Sequence, residues 1–589
     1  MDSQRVMAAA PGFGRPGDVA ANAQAIVRRI KEAKAQAAAL LVLPELCLTG
    51  SCGDILGHGL VLDACRKAAL ALAREGAGLG VALGLPVGMG GQAYNAAALL
   101  SDGKIQGLVL KNRLSWQEQR VFGPGAEAPA DEAWPCPVHR EGVGRFDLPG
   151  FGPLTVAFGA DLQESPGGSL ALFGACPARA GGGQARLKRL LALAGMGLCA
   201  WANPGANESS TDKVYDGQTI LIKGGRLLAA SRPFSGDSVF SMAGGEEANQ
   251  GFYPWEPDPA RPYAPLDEAA LAAWCREALE ISARGLALRL GRIKARGLSL
   301  GLSGGLDSAL ALLAALRAFE IGGLDKKGLW ALSLPAFGTS RRTRTNALKL
   351  MAACGLPERE LDITASVASH LKEIGHPEGR MDAVFENAQA RERTQVLMDL
   401  ANQLGGVMIG PGDMSELALG FTTFGGDHMS MYGVNAGLYK TAIRLIVAQY
   451  ARDTDNQALA EVLTAILDTP ISPELLPGEA GGIRQKTEAI LGPYLLNDFF
   501  LHHFLLGKLS PEEMLKRALD AFEGRFLREE LLSRMRGFFT RFFASQFKRS
   551  CLPDGPQVLG LSLSPRGGLH LPSDASAALW LSALEALEP

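Results

Sequence analysis

Short apolar runs that stop at Gly, Pro or polar residues alternate along the first half of the chain with segments whose apolar positions recur every three to four residues. Ala39–Leu43 and Val81–Pro86 are runs of the first kind and predict strands, whereas Ala20–Lys34 predicts a helix. Alternation of the two predicts an α/β architecture. Between Tyr253 and Pro265 five prolines fall within thirteen residues, which interrupts either period and predicts an extended connector. Leu266–Leu288 resumes the helical period, with Asp267 placed to cap it. These shifts divide the chain into 1–252, a linker at 253–268, and 269–589. After Ser510, Phe, Arg and Leu recur at helical spacing until Pro553 stops the pattern.

A length of 589 residues exceeds what one hydrophobic core serves, in keeping with that division. With 47% hydrophobic and 20% charged residues and a net charge of −3, the chain has the composition of an ordinary globular protein. Basic residues cluster only in pairs such as Arg341-Arg342, so no nucleic-acid partner is expected. No apolar stretch approaches membrane-spanning length, and Met1–Arg5 does not lead into a signal segment, so neither membrane nor export is expected. Nine scattered cysteines without metal-ligand spacing predict free, buried thiols in a reducing cytoplasm.

The strongest chemical pattern starts at Gly297–Leu302, an apolar strand signal followed by Ser303-Gly304-Gly305-Leu306-Asp307-Ser308 and then by the helix-forming run Ala309–Phe319. Paired glycines let backbone N–H groups approach an anion, serine hydroxyls add donors, and the helix N-terminus points a partial positive charge at the same place. That is a pyrophosphate loop, with a spacing other than that of a Walker loop. A carboxylate inside an anion site repels phosphate unless a cation intervenes, so Asp307 predicts a shared Mg²⁺. The hexapeptide alone also fits a plain capped helix after a glycine turn.

This loop resembles that of the N-type ATP pyrophosphatases, and the segments beyond it resemble NAD synthetases. Those segments are Ser333–Thr339, Phe385–Thr394, Gly412–Gly420, Gly426–Met431, Thr469–Leu475 and Gln546–Ser550. From about Ala269 to Asp574 the similarity is nearly continuous. It implies a Rossmann-like parallel sheet of the adenine nucleotide alpha hydrolase type, with ATP as a substrate. Gly301, Leu302, Ser303, Gly304, Gly305, Leu306, Asp307, Ser308, Pro411 and Lys440 match the ATP-binding positions. Asp307 and Glu416 match the Mg²⁺ ligands and the catalytic acids. For deamido-NAD the resemblance implies Asn387, Glu392, Arg393, Thr394, Gln395, Glu416, Phe421, Thr422, Thr423, Phe424, Asp427 and Lys548. Taken alone, Glu416 also reads as a helix-start carboxylate, and Arg391 and Arg393 as helix-surface charges. Pro411 departs from the family, which has threonine there, and so bears on ATP affinity.

Pro44–Asp54 and Tyr94–Ala98 resemble the nitrilase-type glutaminase domain fused to many NAD synthetases, which implies an αββα sandwich and a Glu, Lys, Cys triad. Glu45 and Lys111 match the first two members, and Glu118 matches an additional acid. The nucleophile segment corresponds to Phe158–Gln163, where Gly159 or, with a one-residue slip, Ala160 takes the cysteine position. Neither attacks a carbonyl. Cys176 and Cys199 read as buried structural thiols, so the domain reads as a pseudo-glutaminase. Asn207–Asp212 and Tyr215–Gly217 still resemble the family's sequence.

Together these readings imply ATP-dependent amidation of deamido-NAD to NAD through an acyl-adenylate, with release of AMP and pyrophosphate and with free ammonia as donor. Two alternatives stay open: a working glutamine-dependent enzyme with an unrecognised nucleophile, and a non-catalytic nucleotide-binding protein. Members of the family form homo-oligomers, often octamers, so self-association is expected.

Overall fold

The computed structural model describes residues 6–9, 15–130, 133–209, 211–240, 252–470, 475 and 487–588. They divide into two compact units. One runs to Ala178 and includes Gly182–Ser209 and Val214–Pro254; the other takes Arg179–Gly181, the segment up to Lys213, and everything from Trp255 onward.

Two mixed sheets make up the first unit. One has the spatial order Val239–Phe240, Val6–Ala8, Leu40–Val42, Gly80–Met89, Gln92–Ser101, Lys104–Leu110, Val138–His139. The other has the order Arg226–Ala230, Thr219–Lys223, Leu198–Ala202, Ser169–Phe173, Gly152–Phe158, Val143–Leu148. Val42, Ala82, Leu99 and Val109 of the first sheet share an apolar cluster with Val156, Phe158, Ala171 and Phe173 of the second. The outer face of the first sheet packs on helices Val19–Ala35 and Gly59–Glu75, and that of the second on Gly182–Ala194. Helix, sheet, sheet, helix is the αββα order expected. Because successive strand side chains point to opposite faces, each inner strand feeds two clusters, which explains its nearly continuous apolar run.

In the second unit four strands run parallel, in the order Leu329–Leu332, Leu298–Gly301, Val407–Gly410, Tyr432–Gly433. From Leu298–Gly301 the chain first goes to one neighbour and later returns to the other side. A crevice therefore opens at the carboxyl ends of Leu298–Gly301 and Val407–Gly410, the place where such sheets bind ligands. Helix Leu306–Gly322 is buried on nearly every side, so its N-terminus is held rigidly at that crevice.

Glu268–Arg292 is helical, with the Asp267 carboxylate accepting the Ala270 N–H at 2.8 Å. The proline-rich connector differs from expectation: Pro257–Asp258 and Arg261–Pro265 pair as an antiparallel ribbon. Prolines are tolerated because an edge ribbon needs only some of its N–H groups, and Arg261 clasps Asp258 at 2.5 Å. The region after Ser510 forms helices Pro511–Ala521, Arg528–Ala544 and Gln546–Arg549, and a further helix, Ala578–Glu585, follows beyond Pro553. All nine cysteines are free, but Cys52, Cys136 and Cys176 are half-buried and Cys551 is exposed, correcting the expectation of uniformly buried thiols. No described helix is long and apolar enough to cross a membrane. Met1–Arg5 and most of Thr469–Leu475 lie outside the described residues.

Candidate active site

In the first unit Glu45, Lys111, Gly159 and Ala175 all follow the carboxyl ends of strands. The Lys111 ammonium bonds to Glu45 Oε1 at 2.8 Å and to Glu118 Oε1 at 2.7 Å. Asn95 Nδ2 donates to the same Glu45 oxygen at 2.7 Å, and the Ala175 N–H donates to Glu45 Oε2 at 2.8 Å. Burial alone would lower the Lys111 ammonium, but the two carboxylates outweigh it and hold it well above its ordinary value. Burial likewise acts to raise Glu118, yet the Lys111 charge and the Ser115 hydrogen bonds leave it below the usual carboxylate range. Leu46, next to Glu45, has a φ of 51°, an unusual conformation for a leucine. Gly84 makes that turn possible, because a Cβ there would stand 2.4 Å from the Leu46 nitrogen.

Phe158–Gln163, the segment matched to the nucleophile, contains no cysteine. A Cβ at Gly159 would point toward Leu172 and Leu193, 3.6 Å from each, and Phe158 instead sets its ring 5.7 Å from Lys111 Nζ. The Asp161 carboxylate accepts the N–H groups of Asn112 and Arg113 at 3.0 and 2.6 Å, tying this segment to the one after Lys111. Cys199 is buried and its thiol is pushed up to about 12 by that burial. Cys176 corrects its expectation: it is half-buried and directly follows the Ala175 that Glu45 holds.

The second unit assembles its site at the crevice. Gly304 has a φ of 77°, and a Cβ on it would fall 1.9 Å from the Thr343 carbonyl oxygen, so only glycine fits between loop and neighbouring helix. Ser303 Oγ accepts the Gly305 N–H at 3.2 Å and lies 3.1 Å from Ser308 Oγ. Asp307 is the second residue of helix Leu306–Gly322, in its first turn. From the next strand, Asp413 caps helix Met414–Leu419 by accepting the Glu416 N–H at 2.9 Å, which sets both acids on one turn. Lys440, at the start of helix Lys440–Asp453, reaches all three: its Nζ is 2.6 Å from Asp307, 2.6 Å from Asp413 and 2.7 Å from Glu416. Asp307 and Glu416, far apart in the sequence, thus stand on one cation.

Asp413 and Lys440 are deeply buried, at 0% and 1% exposure, while Asp307 and Glu416 are half-buried. Burial and the neighbouring carboxylates push Asp413 well above its ordinary value, and burial pushes Glu416 up to about 7. Burial would lower the Lys440 ammonium, but three carboxylates hold it well above the usual lysine range. Oxygen atoms of Asp307, Asp413 and Glu416 all lie within 4.8 Å of one another, and Asp307 Oδ1 is buried without a hydrogen-bond partner. Three convergent carboxylates with spare acceptor capacity are the donor set of a hard divalent cation. Asp413 was not among the predicted ligands; its sequence signal was that of a cap, an Asp three residues before a Glu.

Other predicted residues separate. Asn387 Oδ1 accepts the Thr423 hydroxyl at 2.8 Å, and Asp427 Oδ1 accepts the Thr423 N–H at 2.7 Å, so these three meet. Lys548 Nζ donates to the carbonyls of Gly420 and Thr422, anchoring the Phe421–Phe424 wall. Glu392, Arg393, Thr394 and Gln395 do not share a face, because successive helical residues turn by about 100°. Thr394 is buried with its hydroxyl on the Ala390 carbonyl, Gln395 faces solvent, and Arg393 donates to the Leu334 carbonyl. Arg391, read as ambiguous, reaches the Phe424 carbonyl at 3.2 Å. Asn435 went unnoticed in the sequence: its Nδ2 donates to the carbonyls of Asp307 and Pro411, bridging the two ligand loops.

A four-layer sandwich in one unit and a phosphate loop with an acidic cluster at the switch point of a parallel sheet in the other define a two-unit α/β nucleotide-dependent synthetase. Residues 279–522 match the family model described as NAD synthase. The glutamine-dependent NAD(+) synthetase of Mycobacterium tuberculosis is 34% identical over 97% of this chain and 96% of its own, and that of Mycobacterium leprae is 33% identical over the same shares. A solved glutamine-dependent NAD(+) synthetase from Cytophaga hutchinsonii, 20% identical, shares the fold with a TM-score of 0.75 over 99% of this chain and all of that one. The chain belongs to the glutamine-dependent NAD(+) synthetase family.

Proposed function

We propose that this chain amidates deamido-NAD to NAD at the expense of ATP, and that free ammonia is its nitrogen donor. The observation that carries the first part is the meeting of Asp307, Asp413, Glu416 and Lys440 at the phosphate loop. In the first step an oxygen of the nicotinate carboxylate attacks the ATP α-phosphorus and pyrophosphate leaves. In the second, ammonia attacks the acyl carbon, AMP departs with the bond electrons, and the nitrogen sheds a proton. The N–H groups around Gly304–Ser308 hold the phosphates, and the helix end behind them favours the negative charge. Asn387, Thr423 and Asp427 offer directional contacts to the dinucleotide. Mg²⁺ would be held by Asp307 and Glu416, with Asp413 as a third carboxylate, and would neutralise phosphate oxygens. Once phosphates are bound, Lys440 has them as counter-charges in addition to the acids.

Ammonia as donor is favoured by Gly159 and Ala160, which lack a nucleophile, and by the Phe158 ring beside Lys111. Cys176, half-buried next to the residue that Glu45 holds, favours a second reading in which glutamine is hydrolysed there. Pyrophosphate and NAD are measured with deamido-NAD and ATP, using ammonium chloride or glutamine as donor. Turnover with ammonia alone carries the first reading. Glutamine-driven turnover that disappears in Cys176→Ala replaces it with the second, and absence of deamido-NAD-dependent pyrophosphate overturns both. Nine free thiols agree with a reducing cytoplasm, and self-association, up to the octamer common in the family, is tested by light scattering.

A further inference from the structure

We propose that Asp498 is a positioning residue for adenylation, holding Lys440 and Glu416 in the relation that receives ATP. The inference rests on the reading of the second unit as the synthetase. Asp498 lies on helix Tyr494–Leu505, which contributes none of the four clustered charges, and it is fully buried. Its two oxygens reach the helix starts that carry Glu416 and Lys440. Oδ1 accepts the hydroxyl of Ser415, the residue before Glu416. Oδ2 accepts the N–H of Thr441, the residue after Lys440, at 3.0 Å, and the Thr441 hydroxyl at 2.5 Å.

Ser415 closes the loop, since its Oγ accepts the Lys440 N–H at 2.8 Å while its proton goes to Asp498. One carboxylate therefore pins the main chain on both sides of the Lys440–Glu416 pair. Tyr263, paired with the Thr441 hydroxyl, supports the bracket from outside. One turn before Asp498, on the same helical face, Tyr494 sets its ring 5.4 Å from Lys440 Nζ. The Tyr494 hydroxyl is buried without a hydrogen-bond partner among the described residues, as expected of a group facing a ligand site. A purely structural carboxylate would be satisfied by donors anywhere; among the described residues this one is satisfied by the neighbours of Lys440 and Glu416.

The test uses full-length Asp498→Asn, Ser415→Ala, Thr441→Val and Thr441→Ser, assayed for pyrophosphate release with saturating ammonia, with KM for ATP and for deamido-NAD determined separately. Losing a charge-assisted hydrogen bond should lower kcat/KM for ATP about tenfold or more in Asp498→Asn, Ser415→Ala and Thr441→Val. KM for deamido-NAD should stay within about twofold, and Thr441→Ser, which keeps the hydroxyl, should restore wild-type ATP kinetics. If Asp498→Asn does not fold, the Ser415 and Thr441 variants decide, since each leaves the carboxylate and its bond to the other residue in place. ATP kinetics unchanged in all of these, or KM for both substrates rising together with no rescue by serine, overturns the positioning role. A wild-type chain that releases no pyrophosphate with deamido-NAD overturns the synthetase reading instead.

Discussion

Replacing Lys440 by methionine, nearly isosteric and uncharged, removes the only counter-charge among the described residues within bonding distance of three converging carboxylates. At an effective dielectric constant near 20 each contact of about 2.7 Å is worth roughly 6 kcal/mol, against a desolvation cost of several kcal/mol per ion. Removing one partner of such a buried set costs about 3–5 kcal/mol. The lower end applies here, because the Asp307 and Glu416 side chains keep 22% and 20% exposure while Asp413 has none. For a unit of this size about 3 kcal/mol corresponds to a fall of roughly 4 °C in melting temperature. A divalent cation should then take the place of the lost ammonium. Mg²⁺ at about a hundred times its dissociation constant returns about 2.7 kcal/mol. In wild type without nucleotide, Lys440 competes for the same oxygens and Mg²⁺ should add much less. The pH dependence follows from Glu416, whose folded value of about 7 exceeds its ordinary 4.5. Between those values the folded chain binds more protons than the unfolded one, so stability falls as pH rises. In EDTA the variant should therefore melt higher at pH 6 than at pH 8, by a wider margin than wild type. Calorimetry at both pH values, with and without Mg²⁺, is the assay. A variant that melts with wild type in EDTA, or equal Mg²⁺ shifts in both proteins, would refute the idea that lysine and metal share one site.

Gly304→Ala should abolish nucleotide binding, measured by ATP titration, because the added methyl would meet the Thr343 carbonyl oxygen at 1.9 Å in a backbone conformation alanine disfavours. Asn435→Ala unties the Asp307 and Pro411 carbonyls and should raise KM for ATP about tenfold, with deamido-NAD affinity unchanged in steady-state kinetics. In the first unit, Lys111→Met strands Glu45 and Glu118 and should cost about 3–5 kcal/mol in chemical denaturation, yet leave ammonia-driven NAD formation per folded molecule intact. Among the thiols, exposed Cys551 should react first with a colorimetric disulfide, whereas Cys47, Cys65 and Cys199, buried and with pKa values raised by that burial, should react only on unfolding.

What the sequence made legible, and what it hid, divide along a physical line. The phosphate loop was readable because its chemistry is local: glycines, hydroxyls and a helix start within six residues suffice to state an anion site, and the strand-loop-helix found there needed no distant contact. Asp307 and Glu416 could be named, but their meeting depends on a strand order that reverses beside Leu298–Gly301, which periodicity does not encode. Asp413 was hidden behind its own second role, since a cap before a helix is the commonplace explanation of an Asp there. Asn435 and Asp498 were invisible for a stronger reason. Each acts through backbone atoms or hydroxyls far away in the chain, so their function resides in the fold and in no pattern of neighbours. Glu392–Gln395, carried over from the family residue by residue, lie on a helix that turns them into different surroundings, which the sequence alone does not display. The first unit extends the same contrast. There Asn95, Glu45, Lys111 and Glu118 are linked in one hydrogen-bonded network, with the Phe158 ring 5.7 Å from Lys111 Nζ. A buried charge network is costly to dismantle one member at a time, because each removal leaves its partners unpaired. Stability alone therefore explains why such a network persists, whatever chemistry is done beside it.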